Sequence, residues 1–333
     1  MNMLDIISQN LNKLNCTYWI INDPSEKNID FINSIFEIEP FPIFEYNWYE
    51  IIGYQTYKGP FWAVILEDNS QLLLQFRNKE NKLILFLPLV KSIKGWEIIK
   101  KLHEILSISE ISILNVSQHW KDIYEKNITT YFGVNNIKEE FRAEEEAVYD
   151  LKALNTLNGH KYGTLRNVKN RLLSSRLLTF KKVNLDNLKD AVNILDKWYE
   201  TQGKKYKGPS RKEKELFGLK NFLIYSKDNE NMFVEVGYFN NLPVCLLMYF
   251  VFPTHNKWGV NFVLKGLNNN VENNSVNGVS DAAYIHMFEN LYSRGVEFLN
   301  DGELGYEIGT RTHKIVKFRP INYLQSFNIH IKL

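Results

Sequence analysis

Apolar and polar positions change period several times over the first 115 residues. Ile6 to Leu14 follows the spacing of a short amphipathic helix, and FINSIFEIEP closes on a proline. YEIIGYQTYKGPFWAVILED predicts two β-runs around a turn at Lys58-Gly59-Pro60. QLLLQFRNKENKLILFLPLV predicts a hairpin whose apolar arms meet at Asn78-Lys79-Glu80-Asn81. GWEIIKKLHEIL sets Trp96, Ile99, Leu102 and Leu106 on one helical face, and ISILNVS then reads as a strand. Residues 134–150, VNNIKEEFRAEEEAVYD, are acidic and lack an apolar face until Val148, which marks a link between halves or the first strand of the second.

The second half runs through a similar series. Leu165 to Leu173 is a helix candidate, with Leu165, Val168 and Leu172 as its buried stripe. LDNLKDAVNILDKWYE is a second and KELFGLKNFLIYS a third. MFVEVGYFNNLPVCLLMYFVF predicts a hairpin across Asn240-Asn241, and WGVNFVLKG adds a strand. SDAAYIHMFENLYSRG carries Ser280 as an N-cap and Gly295 as a stop, and VEFLN closes as another strand. Helices, then an antiparallel meander, then helix and strand resemble the element order of the GNAT acyltransferase fold. The expectation is an α/β (α+β) chain of two tandem GNAT-like domains, 1–135 and 136–333. Each would hold a mixed, mostly antiparallel sheet flanked by helices, with the candidate site in the second.

Composition narrows the classes. With 333 residues, 44% apolar and 23% charged, the chain has enough material for two folded domains. A net charge of +2 excludes a general nucleic-acid coat, so contact with RNA has to be local. The only cysteines, Cys16 and Cys245, match no metal or redox spacing and suit a reducing compartment. The longest apolar runs fall well short of the roughly 20 residues that span a bilayer. MNMLDIISQN lacks the basic and apolar regions of a signal peptide. A cytoplasmic chain is expected, with peripheral membrane contact left open.

Residues 159–176, GHKYGTLRNVKNRLLSSR, concentrate five Lys or Arg and no acid. Together with the residues before them they resemble the C-terminal domain family of phosphatidylglycerol lysyltransferases. Members typically show a Tyr-Asp pair, a Leu-rich step, a Gly-Lys-Lys-like turn, and then Lys-Arg-Asn-x-x-Asn-(Arg/Lys)-Phe. Here these are Tyr149 and Asp150, Leu154 and Leu157, Gly159 with Lys161, then Arg166, Asn167, Asn170 and Arg171, with Leu165 in place of a basic residue. FLNDGELGYEIGTRTHKIVKFRP is similar to the family's second motif through Asn300, Asp301, Glu303, Leu304, Gly305, Gly309, Arg311, Lys314, Phe318 and Pro320. The resemblance implies a tandem GNAT-like fold and transfer of an amino acid from aminoacyl-tRNA to an acceptor. In the name-giving members that acceptor is phosphatidylglycerol; a soluble amine, hydroxyl or peptide is equally open here.

Such a transfer needs a proton acceptor, donors for a developing oxyanion and a cationic grip on RNA. Asp301, Glu303 and Arg311 are the candidate catalytic residues. Lys161, Arg166, Asn167, Asn170, Asn300 and Lys314 are the candidate substrate-binding residues. At spacing alone, Asp301 and Glu303 also fit an ordinary acidic turn, and Arg311 and Lys314 a solvated basic face. If helical, those two cations share a face and clasp a phosphate or carboxylate. His313 reads as a bystander, because no carboxylate stands at a set spacing from it. KKYKGPSRKEK at 204–214 is a candidate tRNA-contacting loop, or simply a solvated one.

No P-loop, dinucleotide fingerprint or zinc spacing is present, so no metal or resident cofactor is expected. LNNNVENNSVNGVS stands where CoA-using enzymes carry a glycine-dependent pyrophosphate loop. That disfavours acetyl-CoA or another acyl-CoA and favours aminoacyl-tRNA as co-substrate. The expected partners are aminoacyl-tRNA and a lipid or small-molecule amine or hydroxyl acceptor, with no DNA. Two other readings stand beside this one: an acyl-CoA-dependent N-acyltransferase, and a non-catalytic protein of the same fold that binds an amino acid, peptide or RNA.

Overall fold

The computed structural model describes residues 3–37, 42–77, 81–86, 93–133, 136–141, 145–202, 209–267, 276–304 and 308–332. Two compact units divide the chain, Met1–Glu145 with Leu324–Leu333, and Glu146–Tyr323.

The first unit opens with α1 (Met3–Lys13), β1 (Thr17–Ile21), α2 (Glu26–Phe36) and α3 (Trp48–Gly53). Then come β2 (Phe61–Ile65), β3 (Gln71–Arg77), β4 (Lys82–Phe86), α4 (Ile93–Leu106), β5 (Glu110–Ser117), α5 (Gln118–Phe132) and β6 (Ile137–Phe141). β3 and β4 are the arms of the expected hairpin; most of its turn lies outside the described residues. α4 is the crossover that the parallel pair β4–β5 requires. One expectation fails here: the first of the two β-runs before Gly59 is helical. Asn47 caps α3 by accepting the Glu50 N–H at 2.9 Å. All six residues of α3 are buried. A segment enclosed on every side has no polar face, so its sequence carries no period to separate helix from strand.

The second unit contains β7 (Glu146–Asp150), α6 (Leu151–Thr156), α7 (Gly163–Val168), β8 (Leu178–Lys182), α8 (Leu188–Gln202) and α9 (Pro209–Tyr225). It continues with β9 (Met232–Phe239), β10 (Leu242–Val251), β11 (Trp258–Gly266), α10 (Val279–Ser293), β12 (Phe298–Glu303), α11 (Ile308–Thr312) and β13 (Asn322–Leu324). α7 and α11 both run on into a π-helical turn, Lys169–Ser174 and His313–Phe318. The β9–β10 hairpin turns at Asn240 and Asn241, with φ of 47° and 65°, the left-handed pair that tight hairpins need. α10 is a core helix, burying Ala282, Ala283, Ile285, Met287, Phe288 and Leu291. Its N-cap is Gly278 in the left-handed region, and the expected cap Ser280 lies inside the helix.

The sheet order is β13-β7-β12-β11-β10-β9-β8. β11 and β12 pair in parallel only from Trp258↔Phe298 to Val260↔Asn300. Just beyond, Tyr249 pairs with Asn261 and Met248 with Val263, so Phe262 is an extra residue in β11. Such a bulge bends the strand that carries it. From there β11 stays with β10, and β12 stays with β7, reaching Glu303↔Glu146. The sheet therefore opens between β11 and β12, with Asn261 and Asp301 at the apex.

The last strand, β14 (Ser326–Lys332), returns to the first sheet between β5 and β6. The division into 1–135 and 136–333 thus differs from the observed units at both ends. β6 lies in the first sheet, and the C-terminal strand belongs there too. A cut made along the chain has no means of registering a strand that pairs some 200 residues back.

Candidate active site

Asp301 is buried at the apex of the opening. Its Oδ1 accepts from Asn261 Nδ2 at 2.5 Å and from the Tyr284 hydroxyl at 3.1 Å. Its Oδ2 accepts from the Tyr149 hydroxyl at 3.1 Å, and Lys314 Nζ lies 3.2 Å away. Lys314 also donates to the main-chain oxygens of Asp301 at 2.8 Å and Glu303 at 2.7 Å. A carboxylate taken out of water needs its oxygens satisfied by donors. Burial, followed by the Asp301 charge, pushes both tyrosine hydroxyls well above their ordinary value, so they stay protonated and donate.

Asn300 anchors the same strand end. Its Nδ2 donates to Glu146 Oε2 at 2.7 Å, and its Oδ1 accepts the Gly302 N–H at 2.8 Å. Gly302 has φ of 63°, where the β12–β7 register shifts. Asn261 Oδ1 is buried with no hydrogen-bond partner among the described residues, leaving an acceptor open beside the apex.

Residues 63–316 match the family model of phosphatidylglycerol lysyltransferase, C-terminal. The chain belongs to that family. A conserved protein of unknown function from Bacteroides thetaiotaomicron VPI-5482 has a similar structure, with a TM-score of 0.71 at 13% identity over 95% of this chain and 100% of that one. The structure of L-PGS from Bacillus licheniformis gives 0.59 at 16% identity, covering 93% of this chain and 92% of the other. A tandem GNAT protein from the clavulanic acid biosynthesis pathway gives 0.52 at 8%, covering 94% and 98%. At these identities the likeness establishes the fold, which is tandem GNAT-like, each sheet mixed and flanked by helices. No curated protein matches the chain in sequence. Family and fold together support an acyltransferase of the aminoacyl-transferring kind.

In this member of the phosphatidylglycerol lysyltransferase family, two residues of the second motif, Asp301 and Lys314, meet in one network, while Asn300 beside them bonds to Glu146 and Gly302. Glu303 is exposed at the end of β12, and Arg311 is half-buried on α11. The paired clasp expected of Arg311 and Lys314 is not formed. Lys314 is buried and turns its ammonium back onto the strand end, where three oxygens occupy it.

The first motif serves its own turn. Arg166 donates to the carbonyl oxygens of Leu157 and Gly159, two residues in left-handed conformation with φ of 51° and 88°. Leu165, Val168 and Leu172 are buried as expected. Arg171 donates to Asn277 O at 2.6 Å and Lys169 pairs with Glu289, tying the π-helical turn to α10 and the residues before it. Lys161, Asn167 and Asn170 are exposed. Among the described residues, none of Lys161, Arg166, Asn167 and Asn170 bonds to the Asp301 network. Lys204 to Gly208 of the basic loop, most of the Asn-rich segment and Gly305 lie outside the described residues.

His313 is no bystander. Its Nε2 lies 2.5 Å from Asp281 Oδ1, and Lys317 Nζ lies 2.6 Å from Oδ2. Burial works against the Asp281 charge, yet hydrogen bonds from His313 and Lys317 outweigh it and hold the carboxyl below its ordinary value. Sequence reasoning looked for the carboxylate nearby in the chain, whereas it comes from α10, 32 residues earlier. It also passed over Asn261, Tyr284 and Glu146. Asn261 left a signal: it is the one uncharged polar side chain in WGVNFVLKG.

Proposed function

We propose that this chain moves an aminoacyl group from aminoacyl-tRNA to a hydroxyl or amine acceptor, the headgroup of phosphatidylglycerol being the leading candidate. The observation that carries this reading is the opening between β11 and β12, with a locked polar apex at Asp301 and the exposed carboxylate of Glu303 two residues on. The acceptor oxygen or nitrogen attacks the ester carbonyl carbon and passes its proton to Glu303. The bond from that carbon to the terminal ribose oxygen then breaks, and the ribose hydroxyl takes a proton back. Asp301 is enclosed by donors and acts as a positioning residue, holding Tyr149, Tyr284, Asn261 and Lys314 in place. Asn261 Oδ1 supplies an acceptor for the ammonium of the transferred amino acid. Lys161 offers positive charge to the headgroup phosphate of the acceptor. We place the reaction in the cytoplasm, where charged tRNA is found. Among the described residues no helix is long and apolar enough to cross a membrane.

The test is incubation with labelled aminoacyl-tRNAs, a lipid extract and a metabolite extract, with labelled acetyl-CoA in parallel. Label leaving aminoacyl-tRNA for a lipid or small acceptor supports the reading. Label moving only from acetyl-CoA favours the acyl-CoA alternative. No transfer, together with a ligand-dependent rise in melting temperature, favours a binding protein.

A further inference from the structure

Ile308–Ile321, IGTRTHKIVKFRPI, holds four Lys or Arg and no Asp or Glu. Lys314 and Phe318 point inward and are buried. Ile308, Val316 and Ile321 point outward, at 82%, 54% and 56% exposure. A single exposed aliphatic side chain is ordinary on any surface. Three within fourteen residues, with Arg319 exposed two positions before Ile321, give this segment an aliphatic and cationic exterior. Ile308, Thr312 and Val316 recur at every fourth position through α11 and its π-helical turn, all exposed. Arg319 is exposed and left-handed, with φ of 54°. Ile321 is fixed by its N–H to Val148 O at 2.8 Å.

The patch extends to a neighbouring turn. His160 and Lys161, just before buried Tyr162, are exposed. Burial raises the Tyr162 hydroxyl and the Arg319 charge opposes that rise, so Arg319 lies within electrostatic reach of this turn. The nearby acids are already engaged or stand aside. Asp281 is held by His313 and Lys317, Asp150 caps α6, and Glu303 ends β12.

The chemistry of the patch selects among occupants. RNA is held by cations with aromatic or amide side chains on which bases stack. Isoleucine and valine offer no such platform. Exposed aliphatic side chains beside Arg319 and Lys161 match an anionic lipid surface: headgroup phosphates meet the cations, and aliphatics enter the acyl boundary.

We propose that the Ile308–Ile321 face docks the chain on an anionic phospholipid bilayer. Ile308, Val316 and Ile321 enter the headgroup boundary, and Arg319 and Lys161 face the phosphates. This deepens the lipid branch of the proposed reaction, on which it rests for the identity of the acceptor; docking itself is a separate, measurable property. The same segment carries Lys314, which ties it to the end of β12, so a docked face brings lipid headgroups beside Glu303.

Co-sedimentation of the full chain with vesicles of phosphatidylcholine alone, or phosphatidylcholine mixed with phosphatidylglycerol, tests this. The expected result is salt-sensitive binding to the anionic vesicles only. Ile308→Asp combined with Val316→Asp should lower partitioning at least about tenfold, and Lys161→Gln with Arg319→Gln by a similar factor, with unchanged melting temperatures. Absent or salt-insensitive binding by the parent chain, or undiminished binding by the aspartate pair, overturns the proposal. So does an aspartate pair that loses tRNA binding while vesicle binding persists, since the face would then be a nucleic-acid surface. A parallel transfer assay with detergent-dispersed lipid separates the two claims. Docking without transfer removes the reaction alone, and transfer without docking removes this surface alone.

Discussion

The Tyr149 hydroxyl donates to Asp301 Oδ2 at 3.1 Å, joining residues 152 positions apart and the two motifs that mark the family. The bond is fully buried, so its loss is felt in stability as well as geometry. Tyr149→Phe should cost about 1–3 kcal/mol, the penalty of one buried polar group losing a partner. Asp301→Asn should cost more, about 3–5 kcal/mol, because it leaves the Lys314 ammonium without its counter-charge. Urea unfolding followed by circular dichroism checks both, and the double variant should fall short of the sum. Asp301 is thus buried in a bonded network, unlike the ordinary acidic surface turn that its spacing alone also allows.

Lys314 closes the same network from the other side, spending its ammonium on two main-chain oxygens and one carboxylate oxygen. Lys314→Met should lower stability by roughly 2–4 kcal/mol, since two buried acceptors of Asp301 and one half-buried acceptor of Glu303 lose a donor together. Lys314→Arg should restore only part of it, because a planar guanidinium does not reproduce a compact three-donor ammonium. Thermal unfolding of the three proteins gives the order.

Gly302 sits at φ of 63° within the register shift of β12. Gly302→Ala should cost about 1 kcal/mol or more by forcing a Cβ into left-handed backbone. Unfolding midpoints measured beside Gly309→Ala, on exposed α11, isolate the backbone effect.

Asp281 provides a pH dependence whose sign is fixed by its lowered pKa. The folded value lies below the unfolded one, so protonation favours the unfolded chain. Its stabilising contribution is complete above the ordinary carboxylate range, near pH 4, and is lost as pH falls through the folded value. Asp281→Asn should flatten this acid limb of a stability-against-pH curve, whereas Glu297→Gln, in an exposed ion pair with Lys257, should not.

Burial pushes the Cys245 thiol up to about 12. Since the thiolate is the reactive form, Cys245 should resist a thiol reagent such as DTNB in the native chain and react only on unfolding. Labelling within seconds at neutral pH, without denaturant, contradicts that burial.

The sequence made some of this legible for definite reasons. The β9–β10 hairpin was visible because Asn240-Asn241 is turn chemistry between two apolar runs, and α8 because its period is strong. Asn300, Asp301 and Lys314 were visible as a motif, but the buried hydrogen bonds that hold them were not. Lys314 and Arg311 are three apart, which suggests a shared outward face, yet the π-helical turn at His313–Phe318 and the carbonyls of β12 draw Lys314 inward. The His313–Asp281 pair, the Asn261 and Tyr284 donors and the return of β14 were invisible, because each joins residues from separate elements. The opening itself arises from the extra residue Phe262, and nothing in WGVNFVLKG distinguishes a bulged strand from a regular one.

The decisive measurement is single-turnover transfer of label from aminoacyl-tRNA to phosphatidylglycerol or a small acceptor, by the parent chain and by Glu303→Gln, with acetyl-CoA as the parallel donor. The expected result is transfer from aminoacyl-tRNA, slowed about 100-fold or more in Glu303→Gln at an unchanged melting temperature. Transfer from acetyl-CoA alone, or a full rate in Glu303→Gln, would contradict the assignment of donor or of base.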